Sequence, residues 1–412
     1  MSSASSPLSL RKIASERRRK RRREPAASPQ SSADAPLLPP PSYWRRLCPE
    51  LHVGDRQFCA ACTPFALAQA RLAAMRAEML RDGFFTLLPS DWAVDFAAMR
   101  AGVAKIVAAG WPAPLLLVYD EVWAIAHQLS SLMAAVSGGN RNSLDMLAWS
   151  VCAARGEAGF APHRDRQPAD VASSFHPGGE PKYATAWVAI SEASAEAGCL
   201  YLVPRGVDPG YDAGDDQAEG AEDPLLALMK SDAAVQSLRA CPLPPGGAVV
   251  FSHRAMHWGS RGSASCAEPR VSFSFGCTDD TFEPPAFDRA HLPFPPPRLR
   301  AALASAQLIN YHERFAFDAK QLRTFGRTFA ASRGDFARAY AQKVAAELKS
   351  AVDDRARSRG AASSAAAAGD DNDDDDDDDD EGAMEDALEA MLDAQMGADD
   401  ENLFDDFDAE CT

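Results

Sequence analysis

The chain has 412 residues and a formal net charge of −17, a length that could hold two or three average domains. The charge is segregated: residues 1–46 carry eleven Lys and Arg against three acids, residues 361–412 carry 22 acids and no base, and the stretch between them is close to neutral. The acidity therefore belongs to one tail and does not describe a surface that meets substrate. The nine cysteines (Cys48, Cys59, Cys62, Cys152, Cys199, Cys241, Cys266, Cys277 and Cys411) are odd in number and scattered, unlike a small secreted disulfide scaffold. With no signal-peptide pattern and no window near the roughly 18 apolar residues of a membrane span, an intracellular chain with no membrane span is expected.

Residues 1–46 read as a disordered basic arm, rich in Ser, Pro and Ala and carrying RRRKRRR at positions 17–23. Such a run suits nuclear import or phosphate contact, placing the protein in the nucleus or cytoplasm. It has no aromatics or folded groove for sequence-specific nucleic-acid recognition. Cys59 and Cys62 in FCAAC, with Cys48 and His52 upstream, offer zinc-type donors at irregular spacing; buried or loop thiols are the plainer reading. TPFALAQARLAAMRAEMLRDG predicts a helix capped by Thr63, with Pro64 at its first position and Gly83 as its stop. Through Gly110, Tyr119 and Val136 the order is helix, strand, helix, strand, helix.

From Leu144 to Cys277 the runs LDMLAWSVC, YATAWVAI, CLYLV, GAVVF and RVSFSFGC alternate with Gly, Pro and Asp clusters. They predict an antiparallel sandwich or barrel inside an α+β domain spanning 47–360. Segments 166–181 and 206–222 read as functional loops, and helices are expected near 299–325 and 334–350. Residues 361–412 read as a disordered acidic tail. In it, Met384, Leu388, Met391 and Leu392 recur at helical spacing before LFDDF, a short amphipathic motif suited to a basic protein, a partner domain or the chain's own basic arm.

The chemistry concentrates in the middle. Residues two apart on extended backbone share a face, so His163 and Asp165 in FAPHRDRQ can aim at one point while Arg164 turns away. GGAVVFSHRAMHWGS supplies a third donor, His253 or His257, which the alternation leaves undecided. Two imidazoles and one carboxylate on one face of iron leave three positions for a chelating keto acid and oxygen. In PRVSFSF, Arg270, Ser272 and Ser274 share a face, and the planar guanidinium of Arg270 suits a carboxylate. Tyr183, Thr185 and Trp187 share a face of their strand, which makes Trp187 either a cavity residue or plain packing.

In order, these segments resemble the phytanoyl-CoA dioxygenase-like family of iron(II) and 2-oxoglutarate oxygenases: His163-Arg164-Asp165, then Trp187, Glu192, Gly198-Cys199-Leu200 and Pro204, then Phe251 six residues before His257, then Arg270. The likeness spans roughly residues 78–278, including DGFFTLLPSDW. It implies a double-stranded β-helix (jelly-roll, cupin-like) core over about 140–280, flanked by helices. It also implies iron on His163, Asp165 and His257, with 2-oxoglutarate held by Arg270 and flanked by Trp187. The reaction implied is hydroxylation of a small-molecule or lipid-like substrate by O2, with release of succinate and carbon dioxide and with ascorbate as an auxiliary reductant. Asp165 argues against the related halogenases, which lack that carboxylate. Trp258 separates His257 from Gly259-Ser260, where the family has Gly-Ser directly after its histidine. The alternative is a catalytically inactive β-helix that acts as an interaction protein through its charged termini.

Overall fold

The computed structural model describes residues 37–215 and 222–366. The RRRKRRR run, the polyaspartate block, MEDALEAMLDAQM and LFDDF all fall outside these residues, together with the expectations attached to them. One boundary is corrected at its inner end. Residues 37–46, assigned above to the basic arm, belong to the fold: helix α1 (Pro41–Leu47) buries Trp44 to 1% exposure. Its indole packs against Trp111 and Tyr119, and Leu38 donates its N–H to Thr328 Oγ1 at 2.9 Å. Large rings of this kind contribute more apolar burial than the neighbouring arginines lose.

Helix α2 (Gln69–Asp82) starts later than the Thr63 cap predicts. Phe65 instead donates its N–H to the Gln128 carbonyl at 2.8 Å, so the Thr-Pro stretch runs extended along helix α4 (Asp120–Val136). Its stop is as expected, with Gly83 at φ 82°, a conformation open to glycine at no steric cost. After strand β1 (Phe84–Leu87) and helix α3 (Phe96–Ala108), the predicted second strand is a buried 3-10 turn, Ala113–Val118. Pro112 and Pro114 set the φ angles and remove ladder donors there. Among the described residues three α-helices follow the sheets rather than two: α5 (Pro297–Asn310), α6 (Ala319–Ala330) and α7 (Arg338–Ala366). Among the described residues, no helix is long and apolar enough to cross a membrane.

The strands form two antiparallel sheets. The larger has the order β1-β6-β3-β8-β2, with β2 at Arg141–Val151, β3 at Tyr183–Ala189, β6 at Ala248–Ser252 and β8 at Arg270–Thr278. The smaller has the order β5-β4-β7, from Arg239–Cys241, Leu200–Leu202 and His257–Gly259. The five runs expected as strands are strands, while β5 and β7 are too short to show a period. Alternation sorts each strand's side chains. Ala184, Ala186 and Val188 of β3 and Val271, Phe273 and Phe275 of β8 join a core with residues of α4 and α5. Trp187, Val249 and Phe251 pack with Leu200 and Leu202 of the smaller sheet. One face of the larger sheet is thus closed by helices, and the other holds the site.

In β2 a bulge lies between Asn142 and Met146. Leu144 occupies the left-handed region at φ 70°, rare for a bulky residue, and is fully buried there. The Asn142 side chain accepts the Leu144 N–H at 2.8 Å and steadies the turn.

Candidate active site

His163 lies in an extended loop after β2, not in a strand. It pairs with His257 through an antiparallel bridge, each backbone N–H donating to the other's carbonyl at 3.0 Å. That bridge brings two histidines 94 positions apart in sequence side by side, with ring centroids 4.3 Å apart. Asp165 follows two residues on. Its Oδ1 lies 3.6 Å from His163 Nε2 and 3.5 Å from His257 Nε2. One donor atom from each of the three falls within 4.8 Å of the others.

The tautomers follow from the partners. His163 Nδ1 meets the Ala161 carbonyl at 2.7 Å and His257 Nδ1 meets the Ala255 carbonyl at 3.0 Å. A carbonyl only accepts, so both Nδ1 atoms carry a proton and both Nε2 atoms face Asp165, the arrangement that orients a metal-ligating imidazole; burial pushes His163 down, but the Asp165 carboxylate outweighs it and raises that imidazole. Thr185 donates its hydroxyl to Asp165 Oδ2, which leaves Oδ1 on the side of the two imidazoles. Burial pushes the Asp165 carboxyl up, but His257, His163 and Thr185 outweigh it and hold the group well below the usual carboxylate range. Burial pushes His257 down to about 4, keeping its imidazole neutral. The Phe251 ring lies 4.3 Å from that of His257 and walls it from behind.

His253 is not brought into this group. It is fully buried, with Nδ1 facing the Tyr183 carbonyl at 3.0 Å and Nε2 facing Ser174 Oγ at 2.9 Å, so both nitrogens are occupied. Cys48, His52, Cys59 and Cys62 do not converge either: among the described residues they form no metal-binding group. His52 Nδ1 meets Glu121 at 2.8 Å, and the Cys48 and Cys62 thiols lie against backbone carbonyls. The zinc reading has no geometry behind it.

The triad opens on a cavity of about 200 Å³, lined among others by Arg270, Trp187, Ser272, Ser274, Asp145 and Tyr311. Arg270 is 2% exposed. Among the described residues its only side-chain hydrogen bond goes to Ser272 Oγ at 2.8 Å, and its buried Nε has no partner there. No carboxylate of the described residues pairs with it, and burial pushes the guanidinium down to about 10. Trp187 presents its ring 5.3 Å from the Arg270 guanidinium carbon, which places it in the cavity as well as in packing. A buried cation without a counter-ion is costly, and a carboxylate from outside would complete it.

Three residues of the site escaped sequence reasoning. Asp145 shares its parity on β2 with Leu147 and Trp149, a weak signal that was available. Thr185 was placed on the right face without a role. Tyr311 comes from the turn after α5, a contribution of tertiary packing that no local pattern announces.

Two imidazoles and one carboxylate gathered at one point, opening on an orphan guanidinium, suit an oxygenase that consumes a keto-acid co-substrate. The chain belongs to the phytanoyl-CoA dioxygenase family of iron(II) and 2-oxoglutarate enzymes; the family profile matches residues 60–267, just over half of the sequence. Among solved structures, the non-heme alpha-ketoglutarate-dependent epimerase SnoN from nogalamycin biosynthesis is 23% identical over 52% of this chain and 84% of its own, with a TM-score of 0.38. EctD from S. alaskensis with bound Fe is 15% identical over 62% and 88%, with a TM-score of 0.38. AviO1 from Streptomyces viridochromogenes Tue57 is 18% identical over 52% and 97%, with a TM-score of 0.34. No curated protein sequence matches at a significant level.

Proposed function

We propose that the protein is an iron(II) and 2-oxoglutarate-dependent dioxygenase that hydroxylates a small-molecule or lipid-like substrate, with release of succinate and carbon dioxide. His163, Asp165 and His257 would hold the metal, and Arg270, with Trp187 beside it, would hold the distal carboxylate of 2-oxoglutarate. The observation that carries this reading is the unpaired Arg270 guanidinium in the same cavity as the triad. The donor set fits the ion: two imidazole Nε2 atoms and one ionised carboxylate oxygen, each side chain held in place by a second hydrogen bond.

Bound iron with 2-oxoglutarate and O2 supplies an oxidant strong enough to cleave a C–H bond. The protein's own residues do the rest. The Ala161 and Ala255 carbonyls fix the ligand tautomers, and Thr185 keeps one Asp165 oxygen turned to the metal side. Arg270 draws the anion to one end of the cavity, and Phe251 and Trp187 exclude water from its walls.

The test is turnover by the full chain with iron(II), ascorbate and 2-oxoglutarate. Succinate should form slowly even without substrate, and Asp165→Ala should abolish it. Wild-type protein with neither bound iron nor affinity for 2-oxoglutarate would sink the proposal.

A further inference from the structure

The cavity has two ends of opposite character. In the sheet register, Arg270 of β8 lies opposite Val151, whereas Gly276, six residues further along β8, lies opposite Thr185 of β3. Thr185 is the residue that holds Asp165, so the metal ligands sit at the end away from Arg270. Asp145 is on that same level: Met146 beside it pairs with Phe275. Thus Asp145 and Thr185 flank Gly276 across two strand spacings, roughly 10 Å.

The β2 bulge places Asp145 there. Bulges beside active sites commonly re-aim one side chain, and the left-handed Leu144 immediately precedes it. Strain of this kind persists where the surroundings fix it and clusters at functional positions. Gly276 is required for a related reason. A Cβ there would fall 2.0 Å from Tyr183 Oη, because the Tyr183 ring crosses the glycine to reach Asp145. Its hydroxyl donates to Asp145 Oδ2 at 3.0 Å.

Asp145 shares its cation with a second carboxylate. Arg166 donates to Asp145 Oδ2 at 3.0 Å and also to both Glu283 oxygens at 2.8 and 2.5 Å. One guanidinium therefore serves two carboxylates, of which Asp145 lines the cavity together with Arg166, and Glu283 does not. Gln307 Nε2 donates to Asp145 Oδ1 at 3.0 Å. A carboxylate offers about four acceptor positions, so one remains, on a side chain 28% exposed. Tyr311 and Phe160 complete this end with ring faces. Arg314 lies against the Phe160 ring at 4.3 Å without lining the cavity.

Size narrows the occupant further. About 200 Å³ falls short of the roughly 300–1,000 Å³ that usually engulfs a drug-sized ligand. Co-substrate and one small group would fill it, leaving no room to bury a long acyl chain.

We propose that Asp145 orients the substrate by accepting a hydrogen bond from an amine or hydroxyl adjacent to the C–H bond that reacts, and that the substrate is a small amine or alcohol with no anion at that end. This rests on the oxygenase reading above and replaces its broad substrate class with a specific one. The test uses the full chain with iron(II) and 2-oxoglutarate, measuring succinate release stimulated by short probes of matched carbon length: aminoalcohols, diols and diamines against fatty carboxylates and acyl thioesters. Stimulation should come from the first set. For the best probe, Asp145→Asn should raise KM at least tenfold while kcat changes less than threefold, and Asp145→Glu, which keeps the charge, should recover part of the loss. Stimulation by carboxylates or thioesters, stimulation by neither set, or an Asp145→Asn enzyme with wild-type KM would overturn the proposal. Absence of succinate from wild type without any probe is a separate result, and it counts against the oxygenase reading itself.

Discussion

Arg164, the residue between His163 and Asp165, is locked to Asp208 by two hydrogen bonds of 2.6 and 2.9 Å, with both side chains essentially inaccessible. It also donates to both oxygens of Asp215 and to the Arg254 carbonyl. Arg254 in turn reaches the carbonyls of Arg166 and Gly210. Behind the triad, a buried ionic cluster thus ties both ligand segments to residues 208–215. Removing one partner of such a cluster leaves uncompensated charge and costs roughly 3–5 kcal/mol. Arg164→Met is therefore expected to lower stability by about that much and to weaken iron binding. Urea denaturation and metal titration check both, and a variant as stable as wild type would contradict the assignment.

Arg270 should behave in the opposite way. Without ligand its charge is buried and unpaired, so Arg270→Met is expected to raise the denaturation midpoint of the ligand-free protein. The same change should weaken 2-oxoglutarate binding by roughly 2–5 kcal/mol, the usual cost of losing one member of a buried charged pair, or about thirtyfold and beyond. Iron affinity should stay within a few-fold. Calorimetry with 2-oxoglutarate separates these outcomes, and unchanged affinity would rule out the anchor role.

Ligand binding should show in thermal unfolding. At one hundred times its dissociation constant, a ligand specific for the folded state adds about 2.7 kcal/mol. Iron should raise the midpoint of wild type and leave that of Asp165→Ala unmoved. A shift retained in the variant would place the ion elsewhere.

The two histidines of GGAVVFSHRAMHWGS should separate cleanly. His257→Ala is expected to lose the metal. His253→Ala should keep metal stoichiometry and lose about 1–3 kcal/mol of stability, since Ser174 Oγ and the Tyr183 carbonyl each lose one buried hydrogen-bond partner. Metal analysis of the two purified variants decides.

Much of this site was legible because alternation along extended backbone is a strict code, in strands and in the loop that carries His163 alike. His163 and Asp165, the Arg270 face and the Trp187 face all follow from a period of two. The choice between His253 and His257 has the same parity, so alternation was silent; the resemblance pointed to His257, and it is His257 whose Nε2 faces Asp165. Arg164 was seen only to turn away, because its carboxylate partners lie 44 and 51 residues further on in a loop with no pattern of its own. The strand expected before Tyr119 was lost to two prolines. The inner end of the basic arm was misplaced because charge outweighs a single tryptophan in any count of composition, while in packing the tryptophan decides.

The reciprocal backbone bridge between His163 and His257 has a kinetic consequence. Their two amide protons are locked in the hydrogen bonds that set the ligand spacing, so neither can exchange with solvent unless that spacing is broken. Their deuterium uptake is therefore a clock for opening of the site, and binding of iron should slow it at these two positions more than in the sheet behind them.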